Sequence, residues 1–268
     1  MTPPLHLVDE LPAGELAELA GAEGRHAVTV RRTRVGERLL LGDGRGGLAD
    51  AEVTEVGRDA LTVRILARRR VPAPRPTVTL AQALVKGDRG ELAVELATEA
   101  GVDAILPWRA ARCVARWDDG PRGAKALARW RSTVRAAAKQ SRRAWLPEIG
   151  EPVGTDELAA QLTAAQPTAA FVLHESADLP IATAVHDLGP DAHNLLLIVG
   201  PEGGITDDEL ATLRAAGARA VRLGPEVLRA STAATVALAA IGVLTDRWTR
   251  TVRNDQIPDL VRSSERTV

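Results

Sequence analysis

Tyrosine is absent from this chain, and phenylalanine, cysteine and methionine occur once each. Aromatics amount to 2%, carried almost entirely by five Trp. A core must therefore be built from Leu, Val, Ala and Ile. The rows of stacking aromatics that many single-strand binders use are excluded. With Cys113 alone, neither an intramolecular disulfide nor a cysteine metal cluster is possible. The five histidines, His6, His26, His174, His186 and His193, show no zinc-like pairing, so no metal is expected. The amino terminus lacks the basic and apolar regions of a signal peptide. A notable uncharged run, between Arg229 and Asp246, is 16 residues, Ala-rich, and carries Ser and Thr. That reads as a buried helix, not a membrane span. A soluble cytoplasmic protein with no membrane partner is the expectation.

A net charge of −1 hides a segregation of charge. Residues 1–143 carry 25 Lys+Arg and 18 Asp+Glu. Residues 144–213 carry 12 acids and no Lys or Arg, and residues 214–268 carry 9 basic residues and 5 acids. Such a split points to one surface for a polyanion and a separate acidic region. Only three basic residues are Lys: Lys86, Lys125 and Lys139.

At 268 residues the chain is comfortable for two domains. Residues 1–70 read as a small β-rich domain. Its strands are expected over Arg38–Leu41, Gly47–Val56 and Ala60–Leu66. A hairpin loop, Gly42-Asp-Gly-Arg-Gly-Gly47, joins the first two through its Asp-Gly signal. This loop approximates a dinucleotide fingerprint, but a strand follows it instead of a helix, so that reading is rejected. Before it, Gly24 to Arg34 holds Arg25, Arg31, Arg32, Arg34 and His26. This is a candidate RNA-facing turn, weighed evenly against a plain solvated basic face.

Arg68 to Pro76 is a proline-rich connector, with the linker proper at 71–76. Its arginines are further candidates for phosphate contact. From 77 to 250 the pattern is α/β, and 251–268 reads as a polar tail. A strand over Thr77–Val85, a helix over Gly90–Ala100 and a strand over Asp103–Pro107 predict a parallel crossover. Pro121 to about Arg143 is a long helix or a pair of helices. Arg131, Arg135 and Lys139 share one face four residues apart, with Arg142 just beyond. No acid falls between Gly120 and Pro147. A row of one sign without a compensating Glu favours nucleic-acid contact over a solvated face.

The chain is organised around Asn194 to Thr206. Leu195–Val199 predicts a strand buried on both faces. Gly200-Pro-Glu-Gly-Gly204 breaks it, and Thr206 with Glu209 forms a capping box for a helix over Asp207–Ala216. Glu202 among the glycines would repel a phosphate, so a neutral or cationic ligand is expected. The competing reading is a plain strand-to-helix turn. Two more strand ends carry loops, Leu173-His174-Glu175 and Leu223 to Ala233. If the strands are parallel neighbours, the three loops meet at one edge. The last helix is expected over Arg229 to about Thr249.

Gly200-Pro-Glu-Gly-Gly-Ile205 and, further on, Leu223-Gly-Pro-x-x-Leu-Arg-x-x-Thr-Ala233 resemble the cofactor loops of SPOUT methyltransferases. Within that class the chain resembles the RsmE family of 16S rRNA uridine-N3 methyltransferases. Gln82 to Arg89, Glu95 to Val102, Arg112-Cys-Val114, Arg129-Trp130 and Ala136 to Arg142 extend the match. His26 to Arg32, Val35-Gly-Glu37 and Asp43 to Gly47 carry it into the amino-terminal region, so it spans nearly the whole chain.

The resemblance implies an α/β protein in which a PUA-like β-barrel precedes a SPOUT domain with a C-terminal trefoil knot. It implies a homodimer, S-adenosylmethionine as cofactor, and 16S rRNA within the 30S subunit as substrate. Leu173, His174, Gly200, Glu202, Gly203, Leu223, Gly224 and Leu228 are the expected cofactor residues. Arg229 is the first choice to stabilise charge on the base, with Arg31, Arg32 or Arg34 second. Glu202 is either a proton acceptor or, more favoured, a residue ordering its loop. His174 is a candidate base or a satisfied edge histidine, and Cys113 a small core residue. The sequence departs from the family pattern in three places. Glu226 stands where Arg is usual, Ala230-Ser231 where Thr-Glu is usual, and Pro4 to Val8 replaces a segment that often carries Arg. A related methyltransferase acting on another rRNA position or on tRNA, and an inactive RNA-binding homologue, remain as alternatives.

Overall fold

The structure is a computed structural model that describes residues 3–165, 169–189 and 193–248. The chain divides into two compact units, the first ending at Pro72 and the second starting at Ala73. The expected polar tail lies outside the described residues.

The first unit holds β1 (Leu5–Leu7), β2 (Leu16–Leu19), α1 (Gly21–Arg25), β3 (Arg38–Gly42), β4 (Gly47–Val56) and β5 (Leu61–Arg70). The five strands form one sheet in the order β1-β3-β4-β5-β2. Only the β1–β3 pair is parallel. Two register shifts in the β4–β5 ladder, at Asp50/Ala51 and Val53/Glu55, bend the hairpin. One face packs Leu39, Leu41, Val53, Leu61 and Val63 around Ala27. The hairpin turn is held by Asp43, whose Oδ1 accepts from the amides of Arg45 (2.7 Å) and Gly47 (2.8 Å).

The second unit contains β6 (Thr77–Ala83), α2 (Arg89–Glu99), β7 (Ala104–Trp108), α3 (Pro121–Gln140), β8 (Glu148–Ile149) and α4 (Thr155–Ala165). After these come β9 (Ala169–Leu173), α5 (Ile181–His186), β10 (Asn194–Val199), α6 (Asp207–Ala215), β11 (Arg219–Val221) and α7 (Ala230–Leu244). The six strands form an all-parallel sheet in the order β11-β9-β10-β6-β7-β8. Strand β10 lies between β9 and β6, and Leu195 to Val199 are all buried. Parallel strands covered by helices on both sides need that unbroken apolar run. Fully burying each Leu, Ile or Val contributes about 1.5–3 kcal/mol.

Helix α3 is a single helix. Leu127, Trp130, Val134, Ala137 and Ala138 bury one face while its Arg and Lys residues take the other. On α2, Leu92 is exposed, whereas Gly90, Ala93, Val94 and Ala97 are buried. Small residues let α2 pack against both α3 and α7. At Gly90 a Cβ would come within 3.2 Å of the Trp130 indole nitrogen.

Strand β5 runs on to Arg70, into the expected connector. Two of its arginines are engaged within the unit: Arg69 pairs with Asp50, and Arg68 donates to the carbonyls of Pro12, Ala13 and Gly14. Strands β1, β2 and β8 and helix α5 are too short to show a period in sequence. Helix α7 ends at Leu244, five residues before expectation, and β6 ends at Ala83 although Leu84 and Val85 stay buried.

At the opposite end of β6 and β7 from the glycine loop, Asp103 gathers two buried arginines. Its Oδ2 accepts from the Val78 amide (2.7 Å) and Arg247 (2.8 Å), and Arg143 approaches Oδ1 at 3.5 Å. Burial pushes Arg143 down to about 10, so it remains charged at neutral pH. This cluster fastens the end of the α7 segment to the sheet.

Candidate active site

Strands β11, β9 and β10 are parallel neighbours, so the three predicted loops leave the sheet side by side. Leu173 pairs with both Val199 and Val221, which places the three strand ends at one level. The outer loops are stitched together. His174 donates its amide to the Val221 carbonyl (3.0 Å), Arg222 to Leu179 (2.8 Å), and Ile181 to Arg222 (2.9 Å). A cleft of about 510 Å³ opens between the loops, a size suited to a small-molecule cofactor.

The middle loop is shaped locally. Gly204, at φ 76°, donates to the Pro201 carbonyl at 2.9 Å and closes a turn that L side chains rarely adopt. Gly203 sits against Arg112, whose Nη1 donates to the Gly203 carbonyl at 3.1 Å. A Cβ on Gly203 would meet Arg112 Cβ at 3.0 Å and the Arg112 carbonyl at 3.2 Å. Beyond the loop, Thr206 and Glu209 complete the expected capping box of α6.

Leu173, His174, Gly200, Glu202, Gly203, Leu223, Gly224 and Leu228 all line this cleft, and Arg229 lines it too. Arg229 is the N-cap residue of α7. Its side chain is exposed and makes no ion pair among the described residues. Two of the positions that depart from the family pattern, Glu226 and Ala230, also face the cleft. Ser231 is buried in the first turn of α7.

Three lining residues were given no role from sequence: Arg89, Arg112 and Arg222. The signal for the first two was present, since they follow β6 and β7 in the same parallel sheet. The loops after β9 and β10 contribute Glu175 and Glu202, the segment after β11 contributes Arg222, Glu226 and Arg229, and those after β6 and β7 contribute Arg89 and Arg112.

One expectation about acids and bases changes. Glu202 was favoured as a loop-ordering carboxylate, yet it makes no hydrogen bond or ion pair among the described residues. The turn is closed by backbone and by Arg112 instead. His174 is a satisfied edge histidine at Nδ1, where Ser176 Oγ lies at 2.9 Å. Cys113 is a buried core residue whose Sγ donates to the Trp108 carbonyl at 3.7 Å. Burial pushes its thiol up to about 11.

The candidate RNA-contacting residues fall into two groups, one on each unit. In the first unit, Arg25, Arg31, Arg32 and Arg34 are exposed around a wide helical turn, His26–Val30, and none makes an ion pair among the described residues. Arg32 has φ 53°. Nearby, His6 of β1 is buried with its Nδ1 3.1 Å from Glu23, so no cation is presented there in place of the usual Arg. In the second unit, Arg131 and Arg135 are exposed on α3, and Lys139 and Arg142 lie at its end. The one-signed row is partly compensated after all. Glu151 pairs with Arg131 (2.8 Å) and Glu91 with Arg129 (3.2 Å), both from elements distant in sequence.

An amino-terminal β domain followed by a parallel α/β domain with a glycine-loop cleft is the architecture that the family models assign to RNA methyltransferases. The family model for an RNA methyltransferase domain matches residues 72–242, and that for an RNA methyltransferase PUA domain matches residues 19–66. Ribosomal RNA small subunit methyltransferase E of Mycobacterium tuberculosis is 53% identical over 261 residues, covering 96% of this chain and 98% of the relative. The Bacillus subtilis protein of that name is 29% identical over 85% of this chain and 90% of its own length. The chain belongs to the ribosomal RNA small subunit methyltransferase E family. Among solved structures, the Neisseria gonorrhoeae member bound to S-adenosyl methionine has a TM-score of 0.80 at 29% identity, covering 91% of this chain and 98% of that one. A Legionella pneumophila methyltransferase with bound SAM has a TM-score of 0.78 at 30% identity, covering 91% and 98%.

Proposed function

We propose that this protein transfers a methyl group from S-adenosylmethionine to N3 of a uridine in 16S rRNA, acting on the 30S subunit. The observation that carries the reading is the meeting of the loops after β9, β10 and β11 around one cleft, in a chain of this family. The residues fit the cofactor. Gly224 leaves backbone open beside the cleft, and Glu175, Glu202 and Glu226 give a sulfonium cation carboxylates to lie against. When bound, S-adenosylmethionine supplies an electrophilic methyl on a sulfonium.

Uridine N3 is protonated at neutral pH and nucleophilic only after losing that proton. Arg229, unpaired at the cleft, holds the charge that develops at the flanking carbonyl oxygens. Glu202, free of structural bonds, accepts the proton. Arg89 and Arg112 draw the nucleotide's phosphates toward the β6–β7 side of the cleft. Arg25, Arg31, Arg32 and Arg34 on one unit and Arg131, Arg135, Lys139 and Arg142 on the other bind rRNA outside it.

The reading includes a homodimer and a trefoil knot at the loops after β9 to β11. The apolar residues Val236, Val243 and Leu244 exposed on α7, with Val227 at the cleft, support a partner surface beside the site. The expected location is the cytoplasm; no helix among the described residues is long and apolar enough to cross a membrane.

The test is methyl transfer to 30S subunits from a strain lacking the modification, with mass-spectrometric mapping. Label at uridine N3 is expected, and label confined to free tRNA would overturn the reading. Replacing Arg229 by Ala should lower turnover at least tenfold with cofactor binding intact. A smaller loss removes Arg229 as the stabiliser.

A further inference from the structure

Glu209 is the only buried acidic residue among the described residues, and none of the chemistry above uses it. A capping box needs only its bonds to Thr206. Those are present: Oε2 accepts from the Thr206 amide and hydroxyl, both at 3.0 Å. Its second oxygen is spent outside the helix. Oε1 accepts from the Ala111 amide at 2.8 Å and the Thr155 hydroxyl at 3.0 Å, which come from the segment after β7 and from the start of α4. Trp108 Nε1 donates to Thr155 Oγ at 3.2 Å and so turns that hydroxyl toward the carboxylate. Trp108 is fully buried, which makes the chain of bonds rigid.

What the carboxylate fixes is the residue beside Ala111. Arg112 lies along the glycine loop and donates to the Gly203 carbonyl at 3.1 Å. Its Cβ and carbonyl occupy the space that a side chain at 203 would need. Both Arg112 and Gly203 line the cleft. One buried carboxylate thus joins the start of α6, the start of α4 and the post-β7 segment, and the last of these braces the loop from the far side.

We propose that Glu209 is a positioning residue for the cofactor loop, acting through Arg112 and the Gly203 carbonyl. The inference rests on reading this cleft as the methyl-donor site. It differs from a helix-capping role in a measurable way, because a cap alone contributes to stability and leaves ligand affinity untouched.

Glu209→Gln is the sharpest perturbation. Every bond to the carboxylate comes from a donor, and an amide places an NH2 against donors whichever way it turns. Calorimetry with S-adenosylmethionine on the full-length protein should show Kd raised about tenfold for Glu209→Gln, equivalent to about 1.4 kcal/mol. Arg112→Ala should show a similar loss. The double variant should be near the single variants, not a hundredfold weaker, since both changes cut one chain of contacts. Arg112→Lys retains a donor and should recover most of the affinity. In rRNA methylation by Glu209→Gln the loss should fall on the cofactor KM, with kcat at saturating cofactor within about threefold.

A lowered Tm for Glu209→Gln with unchanged cofactor affinity would overturn the inference, as would additive losses in the double variant. If Glu209→Gln fails to fold, the surface variants Arg112→Ala and Arg112→Lys decide: affinity within twofold of the parent for both sinks the proposal. Failure of the parent protein to bind the cofactor overturns the assignment of the cleft, and this inference with it. Normal parent binding with unaltered variants overturns the linkage alone.

Discussion

Two glycines of the cleft should respond to the same small substitution with different signatures. At Gly203 an added methyl meets Arg112 Cβ at 3.0 Å and the Arg112 carbonyl at 3.2 Å, both tighter than ordinary van der Waals contact. Neither atom is the free end of a flexible side chain, so the loop or the Arg112 backbone must shift by a few tenths of an ångström. Overpacking of this kind costs about 1–3 kcal/mol. The shift also strains the 3.1 Å Arg112–Gly203 bond, a charged hydrogen bond worth about 1.5–3 kcal/mol. Gly203→Ala should therefore lower apo-protein stability by about 1–3 kcal/mol and weaken cofactor binding at least tenfold. At Gly224 the nearest atom to an added methyl is Glu226 Oε2 at 3.8 Å, an ordinary contact. Gly224→Ala should leave apo stability within about 0.5 kcal/mol. The open space above it belongs to the cleft, so cofactor affinity should still fall. Urea denaturation without ligand and calorimetry with S-adenosylmethionine separate the two signatures. A Gly203→Ala protein as stable as the parent, or a Gly224→Ala protein destabilised as much as Gly203→Ala, would refute the reasoning.

Asp103→Ala leaves Arg143 and Arg247 buried without their carboxylate and should destabilise the α/β unit by about 3–5 kcal/mol in urea titration. A loss under 1 kcal/mol would show that the surrounding carbonyls suffice. Burial raises the Glu209 carboxyl, but hydrogen bonds from Ala111, Thr206 and Thr155 outweigh it, so its folded pKa is lowered. Its contribution is present above the unfolded carboxylate range near pH 4.3 and lost as pH falls through the lowered folded value. The stability gap between parent and Glu209→Gln should thus be full at pH 7 and shrink on acidification below about pH 4. Cys113, with its thiol raised to about 11, should resist alkylation at pH 8 in the native protein and react on unfolding.

The glycine loop shows how much of the site was legible in sequence. A continuous apolar run, a break at Gly200 and a Thr206–Glu209 box each report a local requirement, so strand, turn and helix were placed within a residue or two. Helix α3 was placed to within a few residues, but whether it was one helix or two was settled only by the structure. Short elements were not plain. Strand β8 has two residues and α5 six, less than the window in which a period can be counted. Charge was misread where partners come from afar, as with Arg131 and Glu151 or Arg69 and Asp50.

By itself, the sequence determined what each strand end could bind: backbone amides and acids, without the Lys-bearing phosphate loop. It also decided that the core would be aliphatic. Only the tertiary structure decided that Leu173, Val199 and Val221 end side by side, since strand order depends on which faces pack together and not on the order of strands along the chain. It alone turned Glu209 from a cap into a junction of three segments and set Arg89 and Arg112 on the opposite lip of the cleft from Glu226. Local periodicity records what each segment needs to bury. Long-range contacts are fixed only when those faces are buried together.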